Sequence, residues 1–495
     1  MSKLTWKNPF RKTHYSKQWI GFYWVFLANM LVFTLIAFLV EPIWIDINQF
    51  LGNAMSLHWN WLVIIMVVSG ILICYGSFLS VANTKKIRKM EDDSIFSLHL
   101  ANKIIPLTFF LGWNFMLYVL IKEGGEELRV IRPELENISP ILFCIIIVIL
   151  SILFPPTLKR IRKLNYSPPT LNRLKSGGIL IFLVITNISG LLLPILAPPV
   201  NVLRGSLPEK PKIMAHRGAS HLAPENTLVA GQVASDWGAI GWEVDVSISY
   251  DGILFLCHDD TAERTTNIAE IFPERVHDDV TMFNMSELHQ LDAGSWFVEK
   301  DPYKTIHEGY VSQTEAEAFR GEKIPTLAEV LNLTRELDLY VDIDAEGPAE
   351  DHPFHDQYWD ILLQELADSN LNDKIMINSN NLLATNMTKV GDGRDMINTH
   401  HALSNQVFRE YEEQHVTVMV WTVDSPSRFS QLWCLGVDFV KTNALHILVP
   451  LEKPTWIISY KSYILIWGIS CSIGMLGGIL MFVMKQKKPE ILPVE

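Results

Sequence analysis

Two carboxylates in one strand-like run predict a metal site. Glu243 and Asp245 are two residues apart in the run Trp242–Val246. Side chains two apart on a β-strand point to the same face, and the apolar residues between and around them claim the opposite face, which argues against an acidic pair that only faces solvent. Two neighbouring carboxylates raise each other's pKa unless a cation lies between them. We therefore expect this pair to bind a divalent cation.

A third acidic residue narrows the choice of ion. Asp342 lies on a later predicted strand and is a candidate for the third ligand. Oxygen-only ligands favour hard cations, so we predict Mg²⁺ or Ca²⁺ and not Zn²⁺.

Two histidines and an arginine add the remaining parts of a phosphoryl-transfer site. His216 and His258 each follow a predicted strand, and Arg217 is next to His216. A pair of imidazoles can act as general base and general acid near neutral pH, although either histidine alone is more often structural. The planar fork of an arginine suits a phosphate oxygen. Metal, base, acid and arginine together predict phosphoryl transfer.

An alternation of strands and helices positions these residues. The predicted strands are Ile213–Ala215, Gly241–Ile248, Ile253–Cys257, Tyr340–Ile343, Lys374–Ile377, Val416–Val423 and Phe439–Lys441, with helices at Asn226–Trp237, Leu327–Leu337, Gln357–Ala367, Asn405–Gln414 and Ser427–Leu435. Alternation of this kind indicates parallel βα units. The length favours a (β/α)₈ TIM barrel, in which strand ends converge on one mouth. A doubly wound sheet is the alternative.

One stretch, at about 259–323, breaks the alternation because it is polar, aromatic and irregular. Such insertions often cover an active site. The alternative is a passive surface excursion.

Apolar blocks predict a multi-pass membrane protein with six spans. Of the 495 residues, 49% are hydrophobic and 19% are charged. The blocks are long enough for membrane helices, although core helices are the alternative for the fourth and fifth; the six lie at about Trp19–Val40, Trp61–Ala82, Ile104–Ile121, Ile138–Phe154, Ile179–Leu196 and Tyr463–Met484. We therefore predict five spans within 1–198, a barrel domain over 199–456, and a sixth span with a cytosolic tail over 457–495.

Loop charges predict which side of the membrane the barrel occupies. Lys and Arg are concentrated before the first predicted span and after the second, fourth and sixth, which indicates cytosolic termini and an extracytoplasmic barrel. Three N-x-S/T sequons, at Asn284, Asn332 and Asn386, agree with a glycoprotein. We expect the plasma membrane, with an endomembrane lumen as the alternative. The net charge of −13 argues against nucleic acid as a partner.

The motifs together resemble the glycerophosphodiester phosphodiesterase family over essentially all of Lys212–Asn443. They are His216-Arg217-Gly218, Pro224-Glu225-Asn226-Thr227, Glu243-Val244-Asp245-Val246, His258-Asp259, Val420-Trp421-Thr422-Val423 and Gly436-Val437-Asp438. The full chain is similar to that family's animal six-span branch. Two segments, Arg264-Thr265-Thr266-Asn267 and Asp292–Phe297, resemble the insertion of that branch.

The resemblance assigns roles to individual residues. It implies that His216 and His258 are the acid–base pair and that Glu243, Asp245 and Asp342 hold the metal, with His258 as an alternative ligand. Arg217 and Glu225 would contact the phosphate and the metal environment, and Trp421 would pack against the glycerol. The implied substrates are glycerophosphoinositol, glycerophosphocholine, lysophospholipid headgroups or GPI anchors at a lipid surface.

One departure keeps a rival hypothesis open. Many family members have Glu-x-Lys where this chain has Asp342-Ile343-Asp344. The substitution exchanges a base near the phosphate for an acid, which puts rate, substrate choice or activity in question. An inactive barrel that serves as a membrane receptor or scaffold is therefore the alternative to an enzyme.

Overall fold

A computed structural model describes residues 60–88, 101–123, 198–345, 347–377, 387–391 and 395–469, with single positions in 22–31, 192–196 and 472–476. The chain divides into two compact units, Met1–Leu135 and Glu136–Glu495.

The first unit contains two long helices, α1 (Trp61–Arg88) and α2 (Ala101–Glu123). Polar side chains pair within it: the Tyr75 hydroxyl donates to Asn102 Oδ1, and the amides of Asn29 and Asn114 bond each other. Some apolar side chains pack between helical segments, because Leu72 of α1 forms a buried cluster with Phe26 and Met30.

The prediction of a six-span membrane protein is contradicted. Among the helices that the structure describes, none combines the length and the apolar character that a bilayer crossing requires. The apolar blocks at 61–82 and 104–121 fall on α1 and α2, and these helices also contain polar side chains that bond one another. The predicted multi-pass location with an extracellular barrel is corrected for the same reason. The other four blocks lie wholly or largely outside the described residues.

The second unit is built on a ring of parallel strands. Eight strands pair side by side in the order β7-β6-β5-β3-β2-β10-β9-β8. A parallel bridge from Val390 to Met396 brings the two ends of this order together. The strands are β2 (Lys212–Ala215), β3 (Gly241–Ile248), β5 (Tyr340–Ala345), β6 (Ile375–Ile377), β7 (Thr388–Lys389), β8 (Ile397–His400), β9 (Val418–Trp421) and β10 (Phe439–Thr442). The predicted TIM-barrel-like fold is confirmed, while β7 and β8 escaped sequence analysis because neither has a clear apolar pattern.

Methionines fill part of the ring. Met214, Met376 and Met419 come from β2, β6 and β9 and form one buried cluster with Val390 and Met396. Because β2 and β6 are not neighbours in the sheet, this contact crosses the interior. Their strand positions share the inward face with the carboxylates of β3 and β5, in keeping with the two-residue period.

The predicted strand at Ile253–Cys257 has a different place from the one expected. It is β4 (Leu254–Leu256), which pairs with β3 antiparallel and lies off the ring. Only a tight turn joins β3 to β4, and parallel neighbours need a crossover of a dozen or more residues. His258 therefore follows a hairpin strand that is not one of the eight strands of the barrel.

Helices flank the ring at the predicted places. They begin and end at α3 (Leu228–Asp236), α8 (Leu327–Glu336), α9 (Tyr358–Asp368), α10 (Asn405–Glu413) and α11 (Pro426–Cys434), and α12 (Leu445–Leu448) follows β10. Caps fix several starts; the Thr227 side chain, for example, accepts from Ala230 N. Two short strands, β1 (Val202–Leu203) and β11 (Ile458–Ser459), pair outside the ring.

The insertion is a packed unit of short helices. It contains α4 (Ile268–Ile271), α5 (Met285–Leu288), α6 (Ser295–Lys300) and α7 (Gln313–Ala318), with 3₁₀ turns at Pro273–Arg275 and Val280–Met282. Its own buried cluster includes Phe283, Leu288 and Leu291. The insertion is therefore held by packing and presents fixed side chains to the site described next. The domain limits at 198 and 456 stay predictions.

Candidate active site

A strained turn after β2 delivers the first group of polar side chains. Arg217 and Gly218 both have left-handed backbone angles, φ 53° and φ 74°. A Cβ at Gly218 would lie 2.6 Å from the Ala230 Cβ, so only glycine fits. The turn aims the Arg217 backbone N–H at Glu243 Oε2, 2.8 Å away.

Three carboxylates converge at the barrel mouth. Ligand atoms of Glu243, Asp245 and Asp344 all lie within 4.8 Å of one another. Register explains this, because Asp245 pairs with Asp344 across β3 and β5, and both strands point alternate residues inward. Burial, with a smaller contribution from the nearby Asp342, raises the pKa of Glu243 to about 7. Burial, with a smaller contribution from Glu243, also raises the pKa of Asp245 to about 7. Glu243 and Asp245 therefore resist simultaneous ionisation without a cation.

The predicted third ligand, Asp342, has another partner. Its Oδ2 lies 2.5 Å from Nζ of Lys441 on β10, and both side chains are about 95% buried. Burial lowers the pKa of Lys441, but Asp342 and Glu243 outweigh it and raise that pKa overall. The charge of Asp342 is thus balanced by Lys441, and Asp344 is the third member of the carboxylate group with Glu243 and Asp245.

His216 is held on the strand side of the site. Its Nδ1 lies 2.8 Å from Asn443 Oδ1, and its Nε2 lies 3.9 Å from Glu243 Oε2. Burial, with the charge of Arg217, lowers the pKa of His216. The imidazole is therefore neutral near pH 7 and presents Nε2 toward the carboxylates.

His258 has the opposite environment. Its Nδ1 lies 2.8 Å from Asp259 Oδ1, and its side chain is 43% exposed. The bond to Asp259 raises the pKa of His258. Arg264 from the insertion in turn bonds both oxygens of Asp259. His258 therefore keeps its proton to higher pH than His216.

Glu225 is clamped by two arginines. Arg264 donates to both its oxygens, at 2.7 and 2.8 Å, and Arg217 donates to Oε1 at 3.1 Å. Burial raises the pKa of Glu225, but Arg264 and Arg217 outweigh it and lower that pKa overall. Arg217 Nε also lies 3.4 Å from Asp245 Oδ2. Arg217 therefore connects Glu225 with Asp245 of the carboxylate group.

A polar cavity of about 280 Å³ opens beside this group. Its lining joins Asp245, His258 and Asp344 to Thr281 of the insertion and Pro348 of the loop after β5. Trp421 ends β9, is 39% exposed and meets the ring of His400 edge-on at 5.2 Å. The cavity thus brings His258 and two carboxylates of the candidate metal group within reach of one bound molecule.

Comparison with known proteins identifies the domain that carries this site. Residues 216–390 match the model described as the glycerophosphoryl diester phosphodiesterase family. Residues 216–390 belong to that family. The family places this chain among the phosphoric diester hydrolases.

Curated relatives extend the likeness beyond the phosphodiesterase domain. The mouse glycerophosphoinositol inositolphosphodiesterase GDPD2 is 28% identical over 459 residues, which cover 89% of this chain and 83% of the relative. Chicken glycerophosphodiester phosphodiesterase domain-containing protein 5 is 26% identical over 488 residues, covering 93% and 79%. The expected resemblance to animal members of the family is confirmed.

Solved structures are similar to part of this chain. A phosphodiesterase from Oleispira antarctica, in complex with the product sn-glycerol-3-phosphate, has 22% identity and a TM-score of 0.39, covering 51% of this chain and 96% of that protein.

Sequence analysis missed several residues that the structure places beside the candidate site. Lys441 carried a signal, because it is a lone charge between the buried residues of a strand. Arg264 was noted only as part of a motif. Asn443 and Asp424 gave no signal, because the hydrogen bonds that Asn443 donates to Asp424 join the ends of neighbouring strands.

Proposed function

We propose that this chain hydrolyses glycerophosphodiesters with the help of a divalent cation, with His216 as general base and His258 as general acid. The observation that carries the proposal is the three-carboxylate group, Glu243, Asp245 and Asp344, with histidines of opposite pKa shift beside it. Titratable neighbours whose environments push their pKa values apart are typical of acid–base pairs.

The donor set fits a hard divalent ion. All three candidate ligands are carboxylate oxygens, which suit Ca²⁺ or Mg²⁺. The raised pKa values of Glu243 and Asp245 give a second argument, because a bound dication would relieve their repulsion. Glu243, Asp245 and Asp344 would hold the ion, which would supply Lewis-acid polarisation of a phosphoryl oxygen and compensation of developing negative charge.

The two histidines have complementary tasks in the proposed reaction. Neutral His216 uses Nε2 to take the proton of the attacking hydroxyl, which belongs to water or to the glycerol itself. Protonated His258 gives its proton to the leaving oxygen. Arg217 adds positive charge beside Asp245, and Trp421 offers a flat apolar surface to the glycerol.

The rival hypothesis of an inactive scaffold loses its main support. It rested on Asp344 in place of a basic residue. The buried ammonium group of Lys441 bonds Asp342 and so places a positive charge beside these carboxylates. Asp344 is itself grouped with the candidate metal ligands. Both features favour an enzyme.

The test is hydrolysis by the purified full-length protein. The panel holds glycerophosphoinositol, glycerophosphocholine, lysophospholipids and a GPI anchor, each with and without chelator. We expect at least one glycerophosphodiester to be cleaved, chelation to abolish cleavage, added Ca²⁺ or Mg²⁺ to restore it, and His216→Ala to be inactive. No cleavage of any substrate with ion present would favour the scaffold, and cleavage that survives chelation would contradict the metal site.

A further inference from the structure

The orientation of the Asn443 side chain is fixed by an aspartate that lies outside the cavity lining. Asn443 Nδ2 donates to Asp424 Oδ2 at 2.8 Å, and its backbone N–H donates to Asp424 Oδ1 at 2.8 Å. The Thr442 hydroxyl also donates to Asp424 Oδ1. A carboxylate only accepts hydrogen bonds. The amide nitrogen of Asn443 must therefore face Asp424.

The oxygen of the same amide is thereby directed at His216. Asn443 Oδ1 lies 2.8 Å from His216 Nδ1 and accepts from the Ser220 hydroxyl at 2.7 Å. With Nδ2 held by Asp424, the amide cannot reverse without setting its oxygen against a carboxylate. The atom facing His216 Nδ1 is thus a pure acceptor.

A neutral imidazole has one N–H, and its hydrogen-bond partner decides which nitrogen carries it. Facing a pure acceptor, Nδ1 must be the donor. Nε2 then has the free lone pair, and it is the nitrogen that lies 3.9 Å from Glu243 Oε2. The other tautomer would leave two acceptors in contact and point a proton at the metal-binding carboxylates.

We propose that Asp424 and Asn443 are positioning residues that hold His216 in its Nδ1–H tautomer. The inference rests on the proposed function, in which His216 Nε2 is the base. Asp424 follows β9 and Asn443 follows β10, and β10 is the neighbour of β2, the strand before His216. Two strand ends of the barrel thus prepare the base before substrate binds.

The tautomer can be read without activity. Full-length protein labelled with ¹⁵N-histidine is examined at pH 8 by long-range ¹H–¹⁵N NMR, and His216 is assigned by its loss in His216→Gln. We expect a protonated Nδ1 and an unprotonated Nε2. In Asn443→Leu, which has no acceptor, and in the isosteric Asp424→Asn, which frees the amide to rotate, we expect the Nε2–H form to appear.

Kinetics separate this role from a structural one. Loss of the hydrogen bond should lower kcat by about tenfold in either variant, with KM within about twofold, whereas the matched surface variant Asn332→Leu should match wild type in both. The inference is overturned if wild-type His216 is the Nε2–H form. It is equally overturned if both variants keep the tautomer and kcat while only thermal stability falls.

The same data distinguish failure of this inference from failure of the proposed function. A protein that cleaves no phosphodiester, yet has the Nδ1–H tautomer and loses it in Asn443→Leu, overturns the proposed function and supports the positioning pair. Full activity in His216→Gln, combined with the Nδ1–H tautomer of His216 in the wild-type protein, would likewise overturn the proposed function and leave the positioning pair supported. Should Asn443→Leu fail to fold, Asp424→Asn decides the question, because it preserves shape.

Discussion

The two histidines of the candidate site are held in different ways by two groups of residues, the strand side and the insertion side. The strand side consists of His216, Asn443 and Lys441, which are positioned by β2 and β10. The insertion side consists of His258, Asp259 and Arg264, which follow the β4 hairpin. His216 is buried and bonded to a neutral amide, whereas His258 is 43% exposed and bonded to a carboxylate.

This difference assigns chemical roles without reference to the order of motifs. Burial removes water from His216 and lowers its pKa, and the carboxylate partner raises the pKa of His258. The proposed base is thus built into the barrel, and the proposed acid depends on contacts from the insertion. In this proposal the insertion takes part in the site through Arg264, which bonds Asp259 and Glu225.

The largest expected effect comes from removing either histidine. His216→Ala and His258→Ala should each lower kcat/KM by roughly 10²- to 10⁴-fold on a glycerophosphodiester. A phosphodiester with a p-nitrophenol leaving group needs no acid, so His258→Ala should approach wild-type rates on it, while His216→Ala should stay impaired. Rescue of both variants, or of neither, would contradict the assigned roles.

Stability should separate the two sides next. Lys441→Met leaves Asp342 buried without its cation, which typically costs about 3–5 kcal/mol in unfolding free energy. Arg264→Met should cost less, because its side chain is 42% exposed and Arg217 still bonds Glu225. Urea unfolding of both variants measures this. The double variant Lys441→Met, Asp342→Leu should recover most of the loss, and a further loss would show that the pair is not the cause.

The metal ligands give a third contrast. Loss of an outer-shell partner already costs about 10- to 100-fold in metal affinity, so Asp344→Asn should weaken Ca²⁺ or Mg²⁺ binding at least that much. Asp342→Asn should weaken it less, because Asp342 is bonded to Lys441. Calorimetric titration of both variants measures the two affinities. The reverse order would restore Asp342 as the third ligand.

Stability against pH provides a check on the same carboxylates that needs no substrate. In metal-free protein the pKa values of Glu243 and Asp245 are raised to about 7, from about 4 in an unfolded chain. A raised carboxyl pKa gives stability that is complete below about pH 4 and is lost as pH rises through 7. The gain in Tm on adding ion should therefore be larger at pH 8 than at pH 5.5, and an equal gain at both would argue against these ligands.

The sequence was informative where a pattern is local and less so where contacts join distant strands. Glu243, Asp245 and both histidines could be singled out because strand periodicity and motif order place them. The sequence favoured Asp342 as the third ligand, whereas the structure pairs Asp342 with Lys441, about a hundred residues later, and groups Asp344 with Glu243 and Asp245. The membrane-span prediction from the apolar blocks is contradicted, because no helix that the structure describes combines the length and the apolar character that a bilayer crossing requires.

The smallest expected effect is a change in pH dependence confined to the insertion side. In wild type, activity should fall at low pH as His216 gains a proton, below its ordinary pKa of about 6.5, and at high pH as His258 loses one, above that value. Asp259→Asn removes the carboxylate that raises the pKa of His258, so the high-pH limb should move down toward 6.5 while the low-pH limb stays in place. Profiles of kcat/KM against pH measure both limbs, and Asp278→Asn, which removes an exposed ion pair with Arg275 elsewhere in the insertion, is the matched control. Movement of the low-pH limb instead would mean that His258 is the base, and the contrast between the two sides would have to be reversed.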